Sequence, residues 1–240
     1  MFPRNKLPLL LAVALAVLPL QAQNFLFKVG GGVAGHWSDS RPVPSFMGGA
    51  AYEYEFSERW GVSPGLFLQQ KGWKHPDADV TYFDDPIEGD PAKGYRTGKM
   101  GRKTSLLYLT VAVPFNYYLR VDEGRYVILS AGPFASCGLT ARRDIQGDPS
   151  RTEGDRISYT ERGFSMPSGG LHRFDAGLQA QVAFQFANGF TVGLQGDFSM
   201  LNSLREGAAR NVAGLLTLSY NFHQGNSYRQ RQLDAMWQEQ

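Results

Sequence analysis

The chain has a single cysteine, Cys137, in 240 residues. That excludes a disulfide framework and any multi-cysteine metal site. It also has no strong excess of one charge, with 24 Lys+Arg against 22 Asp+Glu. A nucleic-acid footprint needs a clustered basic surplus, so no nucleic acid is expected among the partners. Beyond the first two dozen residues no run approaches 18 apolar residues, which excludes helical membrane spans there. Glycine, by contrast, is abundant at 28 residues, and so are the aromatics, with 16 Phe, 11 Tyr and 4 Trp. Glycine above its usual roughly 7% beside many aromatics points to strands and closely packed backbones.

The N-terminus has its own logic. Arg4 and Lys6 precede Leu7 to Leu20, a stretch of 14 residues without charge, and a small residue, Ala22, follows at a cleavage-compatible position. This is the pattern of a secretory signal peptide, and it falls short of the roughly 20 residues that span a bilayer as a helix. Residues 1–22 are therefore expected to be removed. The loss of Arg4 and Lys6 would leave 22 basic residues against 22 acidic ones. An exported chain without paired cysteines must be held together by something other than disulfides.

Period-two alternation runs through the rest. From Phe174 to Phe186 the even positions are Phe, Ala, Leu, Ala, Val, Phe and Phe, while the odd positions from Asp175 to Gln185 are Asp, Gly, Gln, Gln, Ala and Gln. The same parity recurs in Phe190 to Met200 and in Val212 to Phe222. Phe25 to His36, Phe46 to Phe56, Trp60 to Gly72, Leu106 to Tyr118 and Tyr126 to Leu139 complete eight candidate strands. Their connections alternate in length. Ser57-Glu58-Arg59, Asp122-Glu123-Gly124 and Ala187-Asn188-Gly189 are short, whereas 37–45, 73–104, 140–172 and 202–210 are long. Phase also sets turn type: pairing Phe186 with Phe190 leaves three residues in the turn, and Gly189, like Gly124, can take the left-handed conformation at its end.

A soluble sandwich would also alternate. Three features favour a membrane barrel: aromatics beside the short turns, a polar face rich in Gly, Ser, Ala and Gln, and strands near 12 residues where about 9 to 11 cross a bilayer. The expected fold is all-β, an eight-stranded antiparallel up-and-down transmembrane β-barrel with short periplasmic turns and long extracellular loops. Its expected location is the outer membrane of a Gram-negative bacterium. Residues 23–222 form the barrel and 223–240 a periplasmic tail.

Eight strands enclose a lumen wide enough only for side chains, so inward charges need partners. If the first hairpin is symmetric about its loop, Lys28 falls opposite Glu53. Lys71, Arg173, Asp175 and Asp197 are further candidates for a lumen ion-pair network.

Pro64-Gly65-Leu66-Phe67-Leu68-Gln69-Gln70-Lys71-Gly72-Trp73-Lys74 resembles the third-strand signature of the PorT-like outer-membrane β-barrel family of Bacteroidota. Tyr126-Val127-Ile128-Leu129-Ser130-Ala131-Gly132-Pro133 resembles that family's fifth strand, and the Pro114-containing strand its fourth, although Val111-Ala112-Val113-Pro114 departs from the more usual Leu-any-Ile-Pro. The resemblance spans roughly Asn24 to Phe222. It implies fold and location, and mostly no assigned activity. Phe222 resembles the terminal aromatic used in barrel assembly, but 18 residues follow it.

Chemistry-bearing constellations are sparse. His75 with Asp77, Asp79, Asp84 and Asp85 lacks a calcium-loop pattern and reads as loop composition. Arg142 and Arg143 at a strand's outer end are candidates for lipid phosphates or ordinary interfacial charges. Ser168, His172 and Asp175 lie close in sequence, but alternation puts His172 and Asp175 on opposite faces. No cofactor, metal or catalytic residue is expected. Leu233, Met236 and Trp237 give the tail a helical spacing, against which simple fraying weighs more. The reading is a non-enzymatic barrel with a structural, envelope-interaction or secretion-accessory role. Its partners would be outer-membrane lipid and lipopolysaccharide, and envelope or secretion-system proteins. The alternatives are a lipid-modifying enzyme or a small pore.

Overall fold

Alternating apolar and polar residues leave each strand with one face for hydrocarbon and one for a polar interior, and only closure satisfies every backbone group in lipid. The computed structural model describes residues 25–37, 40–83, 95–122, 124–148, 157–166, 169–205 and 209–222. The proposed signal segment and the tail lie outside them. Strand β1 is Phe25–His36; β2 is Arg41–Tyr52 continued by Tyr54–Glu55; β3 is Trp60–Val62 continued by Gly65–Phe83; β4 is Tyr95–Ala112 continued by Phe115–Asp122. Strand β5 is Arg125–Asp148, β6 is Ile157–Arg162 and then Phe174–Gln185, β7 is Phe190–Asn202 and β8 is Arg210–Asn221. Each pairs antiparallel with its sequence neighbours, and β1 closes the ring on β8, with Leu26 opposite Asn221 and His36 opposite Asn211. The result is an eight-stranded barrel.

Exposure is inverted relative to a soluble protein. The even positions of β6 to β8 point outward, and Leu194 is 67% exposed and Phe27, on β1, 57%. Gln69, Lys71, Asp175, Gln195, Asp197 and Thr217 are buried. A belt of exposed large hydrophobics around a polar interior is stable only with lipid outside. Aromatic pairs gather at the short-turn end: Phe25 with Tyr52 at 5.6 Å, Phe27 with Phe222 at 5.4 Å, and Trp60 with Tyr117 at 4.7 Å between ring centres. They form the interfacial girdle of the periplasmic side.

The short turns close as the phase requires. Phe186 N–H donates to Phe190 O at 2.8 Å and Gly189 N–H to Phe186 O at 3.0 Å. Gly189 has φ 85 and Gly124 φ 66, a region where a side chain would be strained.

The long connections differ from the expectation. Much of 73–104 and 140–172 is strand: β3 runs on to Phe83, β4 begins at Tyr95, β5 reaches Asp148 and Ile157–Arg162 pairs alongside it. Ladder hydrogen bonds continue past the membrane, but with water on the outer face the apolar alternation that marks a strand fades. The first hairpin is also tighter. Ser40 Oγ accepts the His36 N–H at 2.9 Å, and β2 starts at Arg41 rather than Phe46. Pro42 and Pro44 read as loop residues, yet both lie in the strand, and pairing with β3 is interrupted between Pro42 and Met47.

Candidate functional site

The tighter hairpin moves the lumen register. Lys28 stands opposite Gly49, not Glu53, so the expected cross-strand pair does not form. Lys28 Nζ instead donates to Gln181 Oε1 at 2.5 Å and lies 5.8 Å from the centre of the Phe67 ring. Glu53 accepts hydrogen bonds from the Tyr118 hydroxyl and, at 2.8 Å, from Asn221 Nδ2.

Lys71 and Asp175 do meet, at 3.2 Å, with side chains 1% and 3% exposed. Ser199 Oγ at 2.8 Å and Asn211 Nδ2 at 3.3 Å also donate to the same Asp175 oxygen, and Lys71 Nζ lies 4.3 Å from the centre of the Phe134 ring. A buried pair of this kind is tolerable only when such extra donors offset desolvation. Asp197 accepts from Gln69 Nε2 at 2.6 Å and Gln195 Nε2 at 2.8 Å. Arg173 stays outside the network. It is exposed, its Nε donates to Gly138 O at 2.9 Å and its guanidinium lies over Phe164.

Neutral amides and hydroxyls thus carry much of the lumen: Gln69, Gln181, Gln195, Tyr118, Asn211 and Asn221. Attention to charges alone overlooks them, although they stand at inward parity on the same strands. Towards the periplasmic end the network leaves a cavity of about 50 Å³ lined by Lys28, Glu53, Asn116, Gln181, Gln185 and Asn221, among others. That is room for a few waters.

The extracellular mouth is sealed differently. The segment between the two parts of β6 folds inward, and Met166 and Leu171 pack with Trp73, Leu106, Tyr108 and Ala141 in one buried cluster. Main-chain bonds pin it: Leu171 N–H to Phe164 O at 2.8 Å, His172 N–H to Ser203 O at 2.9 Å and Gly163 N–H to Ala141 O at 2.9 Å. Arg143 points into this mouth, not toward lipid. Its Nη1 donates to Gly169 O at 3.1 Å and Nε to Thr104 Oγ1 at 3.3 Å, with Glu161 3.8 Å away. Only Arg142 of the pair faces outward.

His172 is exposed while Asp175 is buried, so the two do not converge, and Ser168 lies outside the described residues. Among the described residues no three His, Cys, Asp or Glu side chains are grouped to hold a metal. His75 accepts the Trp73 indole N–H at 3.1 Å; Asp77 and Asp79 lie on β3, and Asp84 and Asp85 lie outside the described residues.

A closed antiparallel ring with a lipid-facing apolar belt and a hydrogen-bonded polar interior defines an outer-membrane β-barrel. The chain belongs to the outer membrane protein beta-barrel domain family, whose model matches residues 21–205. Among solved structures it is similar to Ail, the attachment invasion locus protein of Yersinia pestis, in complex with the heparin analogue sucrose octasulfate. That match has 13% identity and a TM-score of 0.36, and covers 83% of this chain and 97% of that one. It is also similar to the outer membrane enzyme PagL, at 12% identity over 80% of this chain and 98% of that one with TM-score 0.40. Neisserial surface protein A matches at 10% identity over 83% and 96%, with TM-score 0.36. A comparison with curated proteins found no match. The protein resides in the outer membrane.

Proposed function

We propose that this protein is a non-enzymatic outer-membrane scaffold that holds its extracellular sheet up for contact with envelope or secretion components. The filled lumen is the observation that carries this reading. Among the described residues, hydrogen-bonded polar side chains and a small apolar cluster occupy its middle, a second apolar cluster lies at its extracellular mouth, and a cavity of about 50 Å³ lies at the periplasmic end. Such an interior supports display, not transport. The separation of exposed His172 from buried, ion-paired Asp175 argues against a local acyl-hydrolase triad. Within this reading the chain is a PorT-like barrel of Bacteroidota, cleaved after Ala22, with residues 223–240 on the periplasmic side.

Crosslinking in intact envelopes followed by affinity recovery is expected to bring down a defined envelope or secretion protein. Steady conductance in planar bilayers would replace the scaffold with a pore. Altered lipid A after deletion of the gene would replace it with an enzyme.

A further inference from the structure

We propose that the open edge of the projecting sheet, along Ile157–Arg162 of β6, is a docking strand to which an extended segment of a partner protein adds as one more strand. This names a mode of contact within the scaffold reading above and rests on that reading.

Beyond the membrane the described strands β3, β4, β5 and Ile157–Arg162 form an open sheet, not a ring. Ile157–Arg162 pairs with β5, from Gly147 opposite Ile157 to Arg142 opposite Arg162, and among the described residues no strand lies along its other edge. Gly163 N–H donates to Ala141 O at 2.9 Å, which continues the same register by one pair. In an antiparallel ladder, residues that bond the neighbour alternate with residues whose N–H and C=O point away from it. Tyr159 therefore bonds β5, while the main-chain groups of Ser158, Thr160 and Arg162 face the open edge. At roughly 3.4 Å per residue this edge is long enough to hold a short strand.

The sheet has a second edge, and it is built differently. β2 pairs with β3 no further than Arg41 opposite Lys74, although β3 runs on to Phe83. The sequence there holds Pro76, which has no N–H to give, and two acids, Asp77 and Asp79. Pairing with β4 is also interrupted between His75 and Ala78. Proline, charge and irregular pairing are the devices that keep an edge from joining other chains. Ile157-Ser158-Tyr159-Thr160 has no proline and no charge, its residues favour strands, and its register with β5 is unbroken. Guarding one edge and leaving the other open is what selective pairing at the open edge needs.

The two faces of that edge define the chemistry of the added strand. On the lumen side Ile145 is 1% exposed, whereas Tyr159, directly opposite it on the edge, is 45% exposed. The cover over the inner face stops at Ile145, and an apolar side chain on an added strand would extend it over the Tyr159 ring. On the outer face Arg162 is exposed at the end of the edge and favours an acid beside it. The segment that fits alternates apolar with polar residues and carries an acid at the Arg162 end. A second copy in the same membrane does not fit. Copies side by side there are related by an axis along the membrane normal, and strands tilted about 35–45° from that axis cross where they meet instead of running alongside each other.

Amide hydrogen exchange of the full chain in lipid nanodiscs tests the proposal with a capped synthetic peptide that alternates valine with threonine and has glutamate at each end. The peptide is expected to protect the amides of Ser158, Thr160 and Arg162 and to leave Ala78–Phe83 unchanged. T160P removes an N–H that faces the open edge and none that bonds β5, so it should bind the peptide roughly tenfold more weakly while keeping heat-modifiable migration. Y159S stands in if T160P loses that migration, and is expected to weaken binding by removing the apolar contact alone. R162E should lose about fivefold and regain it with a peptide that has lysine in place of glutamate. Absence of protection at saturating peptide, protection of Ala78–Phe83 instead, or wild-type binding in these variants would overturn the proposal. Efficient crosslinking of two copies through S158C within one membrane would assign the edge to a second copy and overturn the partner assignment. Failure of the scaffold reading would appear instead as conductance or altered lipid A after deletion of the gene.

Discussion

The two halves of the lumen are closed in different ways. From Glu53 up to the Lys71–Asp175 pair each buried charge is met by neutral donors or an opposite charge, around a small apolar cluster that includes Met47, Phe67, Phe134 and Leu215. Above that level Trp73, Leu106, Tyr108, Met166 and Leu171 form an apolar stopper, part of it contributed by a segment folded in from between two parts of β6. The lower half is built by the barrel wall alone and closes by hydrogen bonding around its small apolar cluster. The upper half takes in chain from outside the wall and closes by apolar packing, pinned by main-chain bonds and by buried Arg143. Sealing a barrel by directional bonds demands correct register, because a one-residue slip would turn every polar side chain into lipid. Sealing by apolar packing tolerates less exact positions but requires a folded-in segment.

The sharpest way to break the lower half is to leave one buried charge alone. Asp175→Ala is expected to destabilise the barrel by about 3–5 kcal/mol, measured by urea unfolding in lipid vesicles, whereas K71M/D175L should recover much of the loss. Equal destabilisation of the single and double variants would show that the pair is not the energetic centre of the lumen. For the upper half, Leu171→Ala removes buried volume from the stopper and is expected to cost about 2–5 kcal/mol. A loss well under 1 kcal/mol would mean that the mouth is sealed by its main-chain bonds alone.

The outer wall offers a control common to both halves. Leu194 faces lipid near the middle of β7, and Leu194→Arg is expected to cost about 2–4 kcal/mol. A neutral outcome would place that face in water and contradict the membrane setting. Smaller still, Gly124→Ala forces a side chain into φ 66 and should cost about 1–2 kcal/mol, read as a lower denaturation midpoint.

The smallest expected effect is on pH. Burial pushes the Asp144 carboxyl up, but hydrogen bonds from Thr160 and Arg142 and the nearby charges of Arg142 and Lys103 outweigh it, so its pKa is held below the usual carboxylate value. A depressed folded-state pKa means that the contribution is present above the ordinary aspartate range near roughly 3.9 and is lost as pH falls through the folded value. Amide protection across the β5–β6 extension, taken relative to the intrinsic exchange rate at each pH, should therefore fall on acidification in wild type, and show no such pH step in D144N.

Much of this was legible in the residue order. Phe25–His36 begins and ends where alternation says, and the outward parity of Phe174, Leu178, Val182 and Phe186 follows from period two alone. The Phe186–Phe190 turn follows from parity plus the freedom of Gly189. The projecting sheet was not legible, because hydrophobic contrast is the strand signal and it fades once water lies outside the wall. Lys28 was misplaced against Glu53 because the hairpin register depends on where the loop closes. Here Ser40 closes it early on His36, while Pro42 and Pro44 disguise the start of β2.

By itself the sequence determined the barrel: its strand number, which face meets lipid, the turn chemistry and hence the membrane. Alternation and turn composition are local properties, readable within a dozen residues. Only the tertiary structure decided who pairs with whom. Lys71 finds Asp175 across the lumen, and Lys74, Lys103, Arg142 and Arg162 become neighbours, through registers summed around a closed ring. Each register is set by a different loop, so no short stretch of sequence contains that sum.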